Sequence, residues 1–77
     1  MISYYRLWET MRRKGVTQYA LIHTWHISSA QITRLKRNES VSTHTIDTFC
    51  TILNCRVEMI MEYAPEQSMI HGSRAQR

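Results

Sequence analysis

Two helix starts are written out locally in this chain, and each dictates where an apolar face must lie. In Ile27-Ser28-Ser29-Ala30-Gln31-Ile32, Ser28 stands where a hydroxyl accepts an orphan backbone N–H. Gln31 follows three residues later as the reciprocal half of a capping box, and Ile27 and Ile32 bracket the start as a hydrophobic staple. Val41, Ser42 and Ile46 repeat the staple and the cap. A staple fixes the angle at which a chain enters its helix, so the segment from Ser29 to about Arg37 is expected to be a rigid rod. Ile32 and Leu35 then point inward, and positions 29, 30, 33, 34 and 37 occupy the open face. Just before it, Thr17 caps a helix expected from Gln18 to about Trp25, with Leu21, Ile22 and Trp25 facing inward. A turn at His26 and Ile27 joins the two.

The rest of the chain reads as helix too. Ser3 is the expected cap of a first helix whose Tyr4, Leu7, Trp8 and Met11 follow the i, i+3, i+4, i+7 spacing, with Gly15 as its left-handed stop. After the polar loop Asn38-Glu39-Ser40, a fourth helix carries Ile46, Phe49, Cys50 and Leu53 at the same spacing and ends at Asn54. A short fifth helix is expected around Glu58 to Tyr63, stopped by Pro65. No alternating pattern marks a strand and no segment repeats. The expectation is an all-α, compact five-helix domain over residues 1–65, followed by a flexible tail over 66–77.

Seventy-seven residues suffice for one core, because so short a chain buries only about 60% of its unfolded surface. Its hydrophobic content of 43% and charged content of 21% are ordinary for a globular protein, and no apolar run approaches the ~18 residues of a membrane span. Arg6, Glu9, Arg12, Arg13 and Lys14 interrupt any signal-peptide pattern, so a cytoplasmic location is expected. The net charge of +4 is unevenly spread: residues 1–37 carry seven Lys/Arg against Glu9 alone, whereas residues 38–77 carry three against five acids. The N-terminal half is suited to an anionic partner. Cys50 and Cys55 are expected to be reduced, with Cys50 on an apolar helix face.

The segments Thr17-Gln18-Tyr19-Ala20-Leu21, Ile27 through Lys36, and Ile52-Leu53-Asn54-Cys55 with Met59-Ile60-Met61-Glu62-Tyr63 resemble those of the small Cro/repressor-like (Xre-family) helix-turn-helix regulators. The resemblance covers residues 4 to about 65. It implies a five-helix DNA-binding domain with the helix-turn-helix at helices 2 and 3. Two positions depart from the family pattern: Ile22 stands where a small residue is usual at a close helix crossing, and His26 stands where the turn favours Gly. A non-glycine residue in the left-handed region costs about 1 kcal/mol.

In such a motif the second helix lies in the major groove with its N-terminal residues at base edges. Ser29, Ala30, Thr33 and Arg34 are therefore the expected readers. Arg34 is suited to a bidentate pair with guanine, the hydroxyls to several bases, and the Ala30 or Thr33 methyl to thymine. Gln18, Ser28, Lys36, Arg37, Thr43 and His44 are the expected backbone contacts, since helix N-termini and cations attract phosphate. Arg12, Arg13 and Lys14 can add to this, though a cationic helix end also needs no partner. One such domain offers too little contact for tight specific binding. A homodimer on an inverted-repeat operator is implied, with Met59, Ile60, Met61 and Tyr63 as its expected interface.

No cofactor, metal or small-molecule ligand is expected. His23 and His26 are three apart, but their placement across the turn and their distance from Cys50 do not suit a zinc cage. Asp47 is the only Asp, no Gly-rich phosphate loop is present, and no acid, base and nucleophile set can be assembled, which argues against an enzyme. The reading is a sequence-specific double-stranded DNA-binding regulator, acting as a repressor. The alternative is a helix-turn-helix module that binds protein, such as an antitoxin.

Overall fold

Short apolar stripes and strong caps produce four α-helices in the computed structural model, which describes residues 1–65. The tail expected over 66–77 lies outside the described residues. The helices are α1 (Tyr5–Lys14), α2 (Gln18–His23), α3 (Ser29–Lys36) and α4 (Thr43–Leu53). Three of the four caps read from sequence hold: Thr17 Oγ1 accepts from the Ala20 amide at 3.0 Å, and Ser28 and Ser42 Oγ accept from the Gln31 and Thr45 amides, each at 3.2 Å. The capping box at α3 is only half formed. Gln31 Oε1 is buried without a hydrogen-bond partner, so the expected return bond from its side chain is not made.

Three helices end in the same way. At α1 the Val16 amide donates to the Met11 carbonyl, at α3 the Glu39 amide donates to Arg34, and at α4 the Cys55 amide donates to Cys50, at 2.9, 2.8 and 3.1 Å. In each, the residue before the donor is left-handed: Gly15, Asn38 and Asn54 have φ of 72°, 57° and 51°. This is the Schellman motif, which satisfies orphan carbonyls and sets the side chains at its two ends against each other. Asn38, read from sequence only as loop, does more. Its Oδ1 accepts from the Tyr4 amide at 3.0 Å, and the Tyr4 hydroxyl donates to the Glu39 carbonyl at 3.0 Å. The residue that opens α1 is thus held from 34 residues away. Ser3 does not cap it, although Ser3 Oγ accepts from the Tyr5 amide at 3.2 Å.

The expected fifth helix is absent. Val57–Met59 form a single 3-10 turn without a side-chain cap, and Glu62–Tyr63 form a strand, β2, antiparallel to β1 (Ile2–Ser3). Ile2 lies opposite Tyr63 and Ser3 opposite Glu62. The ribbon closes where the Ala64 amide donates to the Met1 carbonyl at 2.8 Å and the Met1 amine donates to the Ala64 carbonyl at 2.6 Å. The segment between the α4 cap and Pro65 has no side-chain cap to start a helix, and its backbone takes its partners from the opposite end of the described chain instead. Arg6 Nε bridges to Glu62 Oε1 across this junction at 2.7 Å. Exposure of both side chains limits what the pair contributes.

Every α-helix supplies the core: Leu7 and Met11 from α1, Leu21 from α2, Ile32 and Leu35 from α3, Ile46, Phe49 and Leu53 from α4, joined by Tyr4 and Ile60. Ile22, Ile27 and Val41 pack against it, half-buried. Thr10 is the one buried polar residue in this interior among the described residues. Its hydroxyl donates to the Met59 carbonyl at 2.8 Å and accepts from Arg13 Nη2 at 3.2 Å, tying the 3-10 turn to α1. Trp25 is not core. Helix α2 stops at His23, the Trp25 and Ile27 amides bond back to Ala20 and Leu21, and the Trp25 side chain is 40% exposed.

Ser28→Ala removes the one side-chain bond at the entry of α3 and is expected to cost about 1 kcal/mol. For a domain of this size that lowers Tm by about 4–8 °C, read by circular dichroism. A Tm within about 1 °C of the parent would mean that the staple alone fixes the start of α3.

Candidate nucleic-acid interface

Helix α3 is anchored along one side and open along the other. Ile32 and Leu35 are buried, whereas Ser29, Ala30, Thr33, Arg34, Lys36 and Arg37 are exposed. The rod is held at both ends, by Ser28 at its entry and by the left-handed Asn38 at its exit. Among the described residues the Arg34 guanidinium takes part in no ion pair. Arg37 approaches Glu39 only to 3.9 Å, with 70% of its side chain exposed. A pair that open contributes little and can yield to a phosphate.

The turn that aims α3 is built around His26, at φ 60°. The Thr24 and Trp25 amides converge on the Ala20 carbonyl at 2.8 and 3.3 Å, and the Ile27 amide reaches back to Leu21 at 2.9 Å. The sequence expectation of a left-handed non-glycine residue is therefore met at His26. Ile22 is accommodated as a half-buried side chain packed on the core.

Of the remaining expected contact residues, Gln18 opens α2 and is half-buried, while Ser28, Thr43 and His44 are exposed at the starts of α3 and α4. Nine of the ten expected contact positions are thus exposed. One exposed residue near them was not singled out from sequence: Tyr19, 71% exposed, whose ring lies 4.1 Å from that of His23, tilted by 32°. The i, i+4 spacing of the two rings on α2 is the signal that would have found it.

The ionisations that depart from their ordinary ranges belong elsewhere. The Tyr5 phenol is raised by its hydrogen bond to Glu9, and Arg6 is raised by its bond to Glu62. The Glu58 carboxyl is lowered by a backbone hydrogen bond and then by Arg56. The Cys50 thiol is raised by burial. None of these groups lies on α2 or α3.

At the opposite end of the chain, the four residues expected to form a dimer interface do not share one surface. Ile60 is fully buried in the core, because the 3-10 turn rotates it inward, and it is withdrawn from the expectation. Met59 and Met61 are half-buried, and Tyr63 is 70% exposed on β2. No helix among the described residues is long and apolar enough to cross a membrane, and none of their His, Cys, Asp and Glu side chains assemble in threes as a metal site.

Two short helices set across a tight turn, the second locked by its aliphatic side and open on its hydroxyl and guanidinium side, define a helix-turn-helix domain. The chain belongs to the Cro/C1-type helix-turn-helix DNA-binding domain family, whose model matches residues 6–66, and it is a Cro/Xre-like regulator. Its structure is similar to the crystal structure of the transcriptional regulator VanUg, with a TM-score of 0.75 and 28% sequence identity, over 83% of this chain and 85% of that one. No curated protein matches the chain.

Proposed function

We propose that the protein is a cytoplasmic transcriptional repressor that reads the major groove of an inverted-repeat operator with α3, as a homodimer. The observation that carries this reading is the open face of α3: Ser29, Ala30, Thr33 and Arg34 are exposed on a helix whose Ile32 and Leu35 are buried. Arg34 presents a planar fork to guanine, and Ser29, Thr33 and Ala30 offer hydroxyl and methyl contacts around it. Gln18, Ser28, Lys36, Arg37, Thr43 and His44 hold phosphates on either side and so set register rather than sequence. The basic N-terminal half and the regulator function of VanUg support the same assignment. Met59, Met61 and Tyr63 remain the dimer candidates, with the exposed Val57 beside them.

Selection of bound sequences from a random duplex pool tests the proposal. Two related half-sites, one helical turn or a multiple of about 34 Å apart, are expected. A pool that remains unenriched after several rounds would remove sequence-specific binding from the reading. On the enriched duplex, neutralisation of about five phosphates predicts that log affinity falls against log salt concentration with a slope near −4 to −5, measured by fluorescence anisotropy. A slope shallower than about −2 would leave the expected backbone contacts without a role.

A further inference from the structure

The C-terminal cap of α4 places the two cysteines of the chain together. Cys50 and Cys55 occupy the two ends of a Schellman motif, with the Cys55 amide donating to the Cys50 carbonyl at 3.1 Å through the left-handed Asn54. In this motif those two positions face each other and usually hold an aliphatic pair. At the α1 cap the corresponding residues are Met11 and Val16, both of the core or packed on it. At α4 they are two free thiols, both half-buried. Both open onto an apolar cleft of about 550 Å³ between α4 and the chain that follows it, walled also by Tyr4, Val41, Ile46 and Met61.

We infer that Cys50 and Cys55 form a two-thiolate site for a soft monovalent cation, Cu(I), opening onto this cleft. Soft thiolate and thioether donors select Cu(I), which is satisfied by two sulfur ligands, and Met61 lines the same cleft. Zinc demands four N, O or S donors in a tetrahedron, and although Asp47 lines the same cleft, no three His, Cys, Asp or Glu side chains among the described residues are placed to hold a metal together. On binding, the two S–H protons leave to solvent and two S–Cu bonds form. The metal enters as Cu(I), so no electron is transferred.

A peroxide-sensing role fits less well. Burial first, then the neighbouring Cys55, raises the Cys50 thiol, which keeps the reactive thiolate scarce. A bound metal deprotonates its thiol ligands outright and does not depend on that pre-existing thiolate. The site rests on the α4 cap alone, so it stands or falls separately from the DNA reading.

The test is anaerobic titration of the reduced full-length protein with Cu(I) presented as its coloured bicinchoninate complex. About one equivalent of Cu(I) per chain is expected to pass to the protein, bleaching the complex, and the Tm of the loaded protein is expected to rise. Cys50→Ser and Cys55→Ser, each shown to be folded by circular dichroism, are both expected to lose the transfer. A wild-type chain that takes up no Cu(I), or a folded single variant that still takes it up, overturns the site. Alkylation gives a readout that needs no variant: Cu(I) is expected to protect both cysteines of the wild-type chain from N-ethylmaleimide, as mapped by peptide mass. Unchanged labelling overturns the site, as does a Cys50–Cys55 disulfide formed in place of a metal complex.

Discussion

Phe49→Ala is expected to destabilise the protein by about 3–5 kcal/mol. Phe49 has no exposed surface and is the largest fully buried side chain among the described residues. It shares one cluster with Leu7, Leu21, Leu35 and Leu53, one from each of the four described helices, and with Ile60, which follows the 3-10 turn. Removing the ring takes away its transfer free energy and leaves a cavity that a short, multiply capped helix cannot close by shifting. A chain of this length has a total stability of about 4–12 kcal/mol, so the loss is a large part of the whole. With the slope of the unfolding transition unchanged, the urea midpoint falls by at least about 1 M. A fall of less than about half that would show that the helices do not converge on this ring. The DNA-binding readout should fail in parallel, since α3 has no independent means of staying folded at eight residues.

How much of this architecture could be read from the residues depended on how far apart the interacting groups are in the chain. The caps at Thr17, Ser28 and Ser42 join residues three apart, and the left-handed stops at Gly15 and Asn54 close bonds within one helical turn. These were legible, as were the apolar stripes of α1, α3 and α4 that they frame. The strand pairing was not. Two residues of strand contain no alternation to detect, and β1 finds β2 only because the folded core brings the two ends of the described chain together. The same holds for the start of α1, where Ser3 offered a local cap but the Tyr4 amide is satisfied by Asn38. The role of Asn38 became visible only once the exit from α3 was seen to be a Schellman motif.

The site followed the same division. The open face of α3 required only the burial of Ile32 and Leu35, so Ser29, Ala30, Thr33 and Arg34 were assignable by helical periodicity. Ile60 was misassigned to a dimer surface because a helix over Glu58 to Tyr63 would have grouped it with Met59, Met61 and Tyr63. A 3-10 turn followed by a strand separates them instead, turning Ile60 into the core and leaving Tyr63 outside. Gln31 matched a capping box in sequence, yet its side-chain oxygen has no partner. A motif names the residues able to make a bond, and packing decides whether they make it.

Arg34→Ala on the selected operator is expected to weaken binding by about 1–3 kcal/mol, roughly 5- to 150-fold in Kd, and to relax preference at one base position. The exposed guanidinium leaves the fold nearly untouched when it is removed, within about 0.5 kcal/mol by urea denaturation. The loss can therefore be assigned to the complex. A base contact and a phosphate contact then differ in their salt dependence. If Arg34 reads a base, its removal leaves the slope of log affinity against log salt almost unchanged, whereas Lys36→Ala or Arg37→Ala lowers the slope by about 1 and weakens every duplex alike. An Arg34→Ala protein that weakens all duplexes equally with a reduced slope would make this residue a phosphate clamp and shift specificity onto Ser29, Ala30 and Thr33. A variant that binds the operator as tightly as the parent at fixed salt would remove α3 as the reader, and a helix-turn-helix module directed at a protein would then account better for the open face.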